Sequence, residues 1–202
     1  IVNALLEGRD GAIWIGGNHG LTRFKDDQWA SIGPSTGLPA AQVLSVFEDR
    51  GGSLWIGTST GVYVRKHGDT TFSAHSSFWV AHFAEDSSGA MWGCDASAGI
   101  RILRSAAGTA ALSSTLARTA CREAMRDRKG SLWVATRSDG LIRIREGRLD
   151  APERRTRSDG LDSDEMRTLF EDRDGTIWIG TRTGFSRLSE SSVRLVVGGR
   201  ES

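Results

Sequence analysis

The stretch Asp174-Gly175-Thr176-Ile177-Trp178-Ile179-Gly180-Thr181 decides the fold of this chain, because variants of it occur five times. The central tryptophans of the five copies are Trp14, Trp55, Trp92, Trp133 and Trp178. Successive copies are therefore 41, 37, 41 and 45 residues apart. Self-similarity at a fixed period near 40 residues is typical of repeat architectures, in which each repeat forms one supersecondary unit.

Each repeat contains three clear strand signals and a weaker fourth. An alternating apolar segment such as 44–49 precedes the turn before the tryptophan strand, and a third alternating segment such as 62–65 follows a short loop. Alternation with a period of two residues predicts strands. The weaker fourth segments are 28–32, 70–73, 110–112, 147–149 and 193–197. No window has a sustained 3.6-residue period, so no long helix is expected.

A four-stranded antiparallel unit of about 40 residues, repeated radially, is a β-propeller blade. The sequence therefore predicts an all-β fold: one β-propeller segment over residues 1–202, built of four-stranded antiparallel blades, with five repeats present. The expected blades are approximately 1–35, 36–76, 77–115, 116–155 and 156–202.

The repeated tryptophans and glycines have a structural explanation. Each tryptophan is expected to lie between neighbouring blades, where a large ring can bury on the order of 200 Å². A glycine three residues before each tryptophan is expected to close the hairpin turn, because glycine accepts a positive φ. These glycines are Gly11, Gly52, Gly89, Gly130 and Gly175.

Composition excludes several classes of function. The chain is 25% charged and 38% apolar, as in a soluble globular protein, and a net charge of +1 gives no global field for nucleic acid or an anionic membrane. It begins at Ile1, within a repeat-like pattern, so we expect a mature or excised piece. Cys94 and Cys121 fit a disulfide and two small buried apolar side chains equally well.

No constellation predicts an enzyme, a metal site or a cofactor. The histidines His19, His67, His75 and His82 occupy unrelated positions in their repeats, and His82 is expected to pack in the core beside Phe83. No cluster has zinc-ligand spacing, and no Ser-His-Asp arrangement is favoured. The basic run 154–157 is expected to be a solvated loop. The Glu-Asp pairs at the ends of first strands, such as Glu48-Asp49, are expected to accept backbone N–H bonds at the turn.

The pattern Glu-Asp-x-x-Gly-x-Leu-Trp-Ile-Gly-Thr-x-x-Gly-Leu-x-Arg resembles the two-component regulator propeller repeat. Residues 171–187 are nearly a consensus copy, and 48–65 are a good copy whose Arg65 lies one place late. The resemblance implies a periplasmic input domain of a bacterial membrane receptor, attached to the membrane through segments outside this chain. It also implies a larger, seven-bladed type of ring, a small-molecule or glycan ligand or a protein partner, and a possible homodimer.

The antiparallel topology indicates which loops could bind a ligand or a partner. The loop between the second and third strands and the connector before the first strand emerge on the same side, and the repeats differ most there. Variable loops on a repeated scaffold are where recognition is usually built. The candidate ligand-binding residues on these loops are His19, Asp95, Arg137, Asp139 and Arg182. Two alternatives stay open: a protein–protein interaction propeller, and a propeller enzyme similar to the streptogramin lyases.

Overall fold

The structure is a computed structural model that describes residues 1–95, 98–105, 118–145, 148, 151–189, 192–197 and 200–201, with the backbone alone from 189 onward. The described residues form antiparallel strands arranged in five sheets, one for each tryptophan repeat. Two short 3-10 helices, Pro34–Thr36 and Arg157–Asp159, lie in connectors. The predicted all-β class is confirmed.

Each sheet is a meander in which consecutive strands pair. The first sheet consists of β1 (Val2–Glu7), β2 (Ile13–Gly17), β3 (Gly20–Lys25) and β4 (Gln28–Ile32). The second consists of β5 (Val43–Glu48), β6 (Leu54–Thr58), β7 (Gly61–Arg65) and β8 (Ser73–Ser76). The third consists of β9 (His82–Glu85), β10 (Met91–Asp95) and β11 (Gly99–Arg104). The fourth consists of β12 (Cys121–Arg126), β13 (Leu132–Thr136), β14 (Leu141–Ile144) and β15 (Glu153–Arg155). The fifth consists of β16 (Met166–Glu171), β17 (Ile177–Thr181), β18 (Phe185–Ser189), β19 (Ser192–Val197) and β20 (Arg200–Glu201).

The chain divides into two compact units, Ile1–Phe83 and Ala84–Ser202, and the division falls within β9. In the first unit, Trp14 and Leu21 of the first sheet form one buried cluster with Leu54 and Ile56 of the second. Burial of such side chains contributes about 25 cal/mol per Å² of apolar surface removed from water. Packing of one sheet on the next therefore supplies the core of this unit.

The second unit repeats the same packing twice. Trp92 of the third sheet shares a buried cluster with Leu132 and Val134 of the fourth, and Trp133 of the fourth shares another with Ile177 and Ile179 of the fifth. The predicted burial of tryptophan between sheets is confirmed for these repeats. Trp14, Trp55, Trp92 and Trp133 are at most 3% exposed, whereas Trp178 is half-buried.

In four of the five repeats, an aspartate six residues before the tryptophan stabilises the hairpin. In the fourth repeat, Asp127 Oδ2 accepts the indole N–H of Trp133 at 2.8 Å, and Oδ1 accepts the backbone N–H of Ser131 at 2.7 Å. The same pair of bonds occurs at Asp49, Asp86 and Asp172. The carboxylate thereby fixes both the turn and the ring.

The first repeat has Gly8 at that position, and a neighbouring aspartate takes over part of the role. Asp10 Oδ1 accepts the backbone N–H of Ala12 at 3.0 Å, and its Oδ2 pairs with Arg23 at 2.9 Å and Lys25 at 3.3 Å.

The hairpin glycines behave as predicted: all five adopt a positive φ between 75° and 87°.

An arginine five residues before the tryptophan connects one hairpin to the next. In the first unit, Arg9 donates its backbone N–H to Glu48 and its guanidinium to the carbonyl of Arg50. In the second unit, Arg128 makes the same two bonds to Glu171 and to the carbonyl of Arg173. This position therefore joins neighbouring sheets at the end that carries the hairpin between the first and second strands. We call this end of each sheet the hairpin edge.

The fourth strands differ from the sequence prediction in two of the repeats. β8 begins at Ser73 rather than at residue 70, and the described fourth strand of the fourth sheet is Glu153–Arg155, whereas residues 147 and 149 of the predicted segment 147–149 lie outside the described residues. The predicted segment 110–112 lies outside the described residues. The prediction that 154–157 form a solvated loop is wrong for Arg154 and Arg155, which pair in β15 with Ile142 and Leu141, although the arginine side chains are exposed as predicted. An outermost strand packs little apolar surface, so its sequence carries a weak alternation.

The prediction that His82 packs in the core is also wrong. His82 is the first residue of β9 and is exposed, whereas the next residue, Phe83, is buried. Alternate side chains of a strand share a face, and Ala84, which shares the face of His82, is buried, so His82 is exposed because it lies at the end of the strand.

Candidate functional site

The loop between the second and third strands is closed by a side chain three residues after the tryptophan. Thr136 Oγ1 donates to the carbonyl of Gly140 at 2.6 Å and accepts the backbone N–H of Asp139 at 2.8 Å. Thr58 and Thr181 make corresponding bonds in their repeats. Because the turn is held by a side chain within it, the side chains at its tip are available for recognition.

Each of these loops is also attached to the connector that precedes the first strand. The backbone N–H of Arg137 donates to the carbonyl of Ala120, and that of Arg182 donates to the carbonyl of Glu165. The first unit has the same bonds from Asn18 to Ile1 and from Ser59 to Gln42. The loop and the connector therefore lie at the same end of the strands of their sheet, opposite the hairpin edge, as the antiparallel topology predicts. We call this edge of each sheet the loop face.

In the second unit, the loop face presents charged side chains from two successive loops. Arg137 and Arg182 are exposed, and Arg182 pairs with Glu165 at 3.3 Å. Asp139 is half-buried and pairs with Arg154 at 3.2 Å. Arg137 and Asp139 belong to the same loop, and Arg182 belongs to the corresponding loop of the following sheet. In the first unit, His19 is exposed at the tip of the loop between β2 and β3.

Asp95 differs from the other candidates because it is buried. It occupies the position of Thr58, Thr136 and Thr181 in its own repeat, and it is only 4% exposed. Its Oδ1 accepts the backbone N–H of Ala98 at 2.8 Å. The carboxylate therefore supports the loop in the same manner as the threonine hydroxyls.

A disulfide bond lies beside this loop in the second unit. Cys94 at the end of β10 is bonded to Cys121 at the start of β12, at a sequence separation of 27 and with their Cα atoms 5.3 Å apart. Both cysteines are fully buried. The alternative left open by the sequence is thus decided in favour of the disulfide, which ties the third sheet to the fourth near the loop face.

Two exposed aromatic side chains escaped the sequence analysis. Phe78 and Trp79 lie in the connector between β8 and β9 and are 41% and 48% exposed. The corresponding connectors carry Gly37-Leu38 and Gly160-Leu161, and Leu38 and Leu161 are buried. Counted back from the hairpin aspartate of each repeat, Phe78 and Trp79 stand where those connectors have Ala41-Gln42 and Asp164-Glu165, and this difference was the available signal.

The structure also contains two cavities that sequence reasoning missed, both at the hairpin edge opposite the loop face. One has a volume of about 530 Å³ and lies within the second unit, where the hairpins of the fourth and fifth sheets are adjacent. The other, of about 480 Å³, lies at the corresponding place in the first unit. A sequence pattern within one repeat cannot reveal such a cavity, because the cavity forms only where two repeats pack together.

Among the described residues, no group of three or more His, Cys, Asp or Glu side chains could hold a metal ion. None of the helical segments in the described part of the chain has the length and apolarity that crossing a membrane requires.

Two of the five repeats match a known protein family. Residues 37–60 and 160–183, which contain the second and fifth tryptophans, match the two component regulator propeller family. No curated protein sequence matches the chain.

Solved structures share the fold over nearly the whole chain. The extracellular domain of BT3049 from B. thetaiotaomicron, described as a hybrid two component system, is 22% identical with a TM-score of 0.78, and the match covers 96% of this chain and 28% of that one. The corresponding domain of BT4673 from the same organism is 20% identical with a TM-score of 0.77, covering 98% and 31%. Virginiamycin B lyase from Staphylococcus aureus is 11% identical with a TM-score of 0.70, covering 95% and 68%.

The chain thus spans about 28 to 31% of the length of these two extracellular domains. These matches confirm the predicted β-propeller fold class and the predicted resemblance to two-component regulator propellers.

Proposed function

We propose that this chain, which carries two-component regulator propeller repeats at residues 37–60 and 160–183, is part of a ligand-sensing input domain of a bacterial membrane receptor. Its similarity to extracellular domains of two component systems supports an extracytoplasmic, periplasmic location. The disulfide between Cys94 and Cys121 supports the same location, because disulfides persist mainly in oxidising compartments. The membrane segment and the output domain then lie outside this chain.

The loop face is the proposed recognition surface. The observation that carries this assignment is the contrast within each loop: the backbone is fixed by a repeated side-chain bond, whereas the exposed tip differs between repeats. His19, Arg137, Asp139 and Arg182 are the proposed contact residues, and Asp95 is proposed to hold its loop in place. Two exposed arginines favour a ligand with hydrogen-bond acceptors, since a guanidinium offers five N–H donors.

A ligand screen followed by substitution tests this proposal. Thermal stabilisation of the chain is first measured against a panel of mono- and oligosaccharides and amino acids, because a bound ligand raises the unfolding midpoint. The variant Arg137→Ala/Arg182→Ala is expected to bind the selected compound at least tenfold more weakly. Lys66→Ala, an exposed change at the hairpin edge of the first unit, is the control and is expected to bind normally. Unchanged binding in the double arginine variant would contradict the proposal.

A protein partner is the second candidate, favoured by Phe78 and Trp79. Exposed tryptophan is frequent among the residues that dominate protein interfaces. Under this alternative, Trp79→Ala weakens a complex purified from the source organism by at least tenfold while small-molecule binding stays unchanged. The reverse result, with loss of small-molecule binding alone, would favour the sensing function.

A further inference from the structure

The hairpin edge of the second unit contains a cavity of about 530 Å³ whose lining differs in charge from its counterpart in the first unit. We define the cationic groove as this cavity, formed around Lys129, Trp133, Arg143, Arg145, Arg155 and Ile177. We infer that the cationic groove binds a small acidic molecule, one that carries carboxylate, phosphate or sulfate groups. This site lies at the edge opposite the loop face and is independent of the function proposed above.

The positive charges of the groove are held in place by the repeat itself. The Arg143 guanidinium lies 4.9 Å from the centre of the Trp133 ring, and its Nε donates to Ser131 Oγ at 3.1 Å. Arg145 forms a hydrogen-bonded ion pair with Glu153. A guanidinium that is already oriented loses less conformational entropy when it binds an anion.

Three carboxylates also line the groove, Asp127, Glu153 and Glu171, and Asp127 lies 3.9 Å from the Arg143 guanidinium. Asp127 accepts the indole N–H of Trp133 and the backbone N–H of Ser131, and Glu171 accepts the backbone N–H of Arg128. Within the part of the chain that the structure describes, Arg155 forms no ion pair closer than 4 Å, so its guanidinium is available to a ligand.

The ionisation of Glu153 agrees with a positive local potential. Its pKa is lowered first by the hydrogen bond from Arg145, burial opposes this shift, and the charges of Arg145, Arg143 and Arg155 lower the pKa further. Three arginines therefore favour negative charge at this place. A ligand acid group beside Arg155 would experience the same potential.

The corresponding cavity of the first unit provides an internal comparison. That cavity has a similar volume, about 480 Å³, and three cations in its lining, Arg9, Arg65 and Lys66, face three carboxylates, Asp10, Glu48 and Asp69. The cationic groove has four cations and three carboxylates and therefore carries one more positive charge. Lys66 and Arg145 follow equivalent positions of their third strands, because Arg65 pairs with Leu54 and Ile144 pairs with Leu132. They line opposite walls, however: Lys66 comes from the following sheet of its pair, and Arg145 comes from the preceding sheet. Packing of successive repeats thus creates the cavity, and local sequence makes only one of the two cationic.

The shape and lining indicate the chemistry of the ligand. Cavities of about 300 to 1,000 Å³ are typical of small-molecule sites. Arginine binds carboxylate and phosphate through two parallel N–H bonds, and Trp133, Ile177 and Leu188 supply apolar surface beside the charges. A compact acid with an apolar portion matches this combination better than a neutral molecule does.

Calorimetric titration with citrate and with inorganic phosphate at low ionic strength tests the inference, with glycerol as the neutral control. We expect saturable binding of at least one of the two anions and none of glycerol. Arg145→Glu/Arg155→Glu is expected to raise the Kd of that anion at least tenfold. Lys66→Glu is a charge reversal in the balanced cavity and should leave the Kd within about twofold.

Three further results complete the test. Arg145→Gln/Arg155→Gln, which removes charge without reversing it, is expected to weaken binding while far-UV circular dichroism stays unchanged. Arg137→Ala/Arg182→Ala should leave anion binding intact, which separates this site from the loop face. Absence of saturable binding of both anions to the unmodified chain, or equal weakening by Lys66→Glu, would overturn the inference.

Discussion

At the scale of single residues, the aspartate six positions before the tryptophan links the turn, the ring and the packing of the sheet. Asp127 is 5% exposed and accepts two N–H groups, one from the Trp133 indole and one from the Ser131 backbone. A buried donor that loses its acceptor carries the whole cost of its desolvation. Asp127 therefore stabilises the fold by accepting these two N–H groups, although its own side chain buries little apolar area.

Replacement of Asp127 by alanine is expected to destabilise the protein by about 2 to 3 kcal/mol, because it leaves the Trp133 indole N–H without its acceptor. Urea unfolding followed by tryptophan fluorescence measures the change. The control is Asp139→Ala, which removes a half-exposed ion pair with Arg154 and should cost less than about 1 kcal/mol. Similar losses in the two variants would contradict this role of Asp127.

Asp10 predicts a pH dependence of stability. Burial alone would raise the pKa of its carboxyl group, but hydrogen bonds from the Ala12 backbone, Arg23 and Lys25 lower that pKa to about 2. An unfolded aspartate titrates near pKa 3.9, so the folded state binds fewer protons between these two values. The stability contributed by Asp10 is therefore present above about pH 4 and is lost as the pH falls toward about 2.

The comparison of wild type with Asp10→Asn checks this expectation. The difference between their unfolding midpoints is expected to be largest near pH 7 and to shrink as the pH is lowered from about 4 to about 2. A difference that stays constant over this range would show that the charge of Asp10 does not contribute. Added salt should also reduce the difference at pH 7, because half of the Asp10 side chain is exposed to solvent.

Repetition made some residues predictable and hid the roles of others. The burial of the tryptophans and the positive φ of the hairpin glycines follow from five aligned copies. The role of Asp95 in closing its loop required one further step, because it stands where three other repeats have threonine. His82 was mispredicted because alternation does not show where burial begins along a strand: Ala84 on the same face is buried, whereas His82 at the strand end is exposed.

At the scale of strands and sheets, the inner strands were predictable and the outer strands were not. β6, β13 and β17 pair on both sides and are buried on at least one face, so their apolar patterns are strong. β8 and β15 lie at the outer edge of their sheets and are mostly exposed, so neither pairing nor packing constrains their sequences tightly. The pairing of Cys94 with Cys121 became evident only when β10 and β12 were placed side by side.

The disulfide predicts that the second unit is sensitive to reduction. Removal of a native disulfide generally costs about 2 to 4 kcal/mol. We expect dithiothreitol to lower the thermal unfolding midpoint of the wild-type chain and to leave the Cys94→Ala/Cys121→Ala variant unaffected. Differential scanning calorimetry with and without the reductant measures both. Equal sensitivity of the two proteins would show that the reductant acts elsewhere.

At the scale of the whole molecule, a repeated residue has no fixed energetic value, because its neighbours depend on its place in the array. The two cavities show this for charge, because Lys66 and Arg145 hold the same position in their repeats but Lys66 lines its cavity from the following sheet and Arg145 from the preceding one. The tryptophans show it for packing. Trp133 is buried against Ile177 and Ile179 of the next sheet, whereas Trp178 is half-buried on the fifth sheet, beside exposed Phe170 and Phe185.

Truncation of these two tryptophans to alanine should therefore give unequal losses. Each change removes one indole bond to an aspartate, at 2.8 Å for Trp133 and 2.7 Å for Trp178, so the difference between the variants isolates packing. Trp133→Ala is expected to cost about 3 to 5 kcal/mol, and Trp178→Ala roughly half as much, because less apolar surface is removed from a buried environment. Urea unfolding measures both, and Trp133→Phe and Trp178→Phe provide milder versions should the alanine variant of Trp133 not fold. Equal losses would mean that the fifth tryptophan is covered as fully in solution as the fourth.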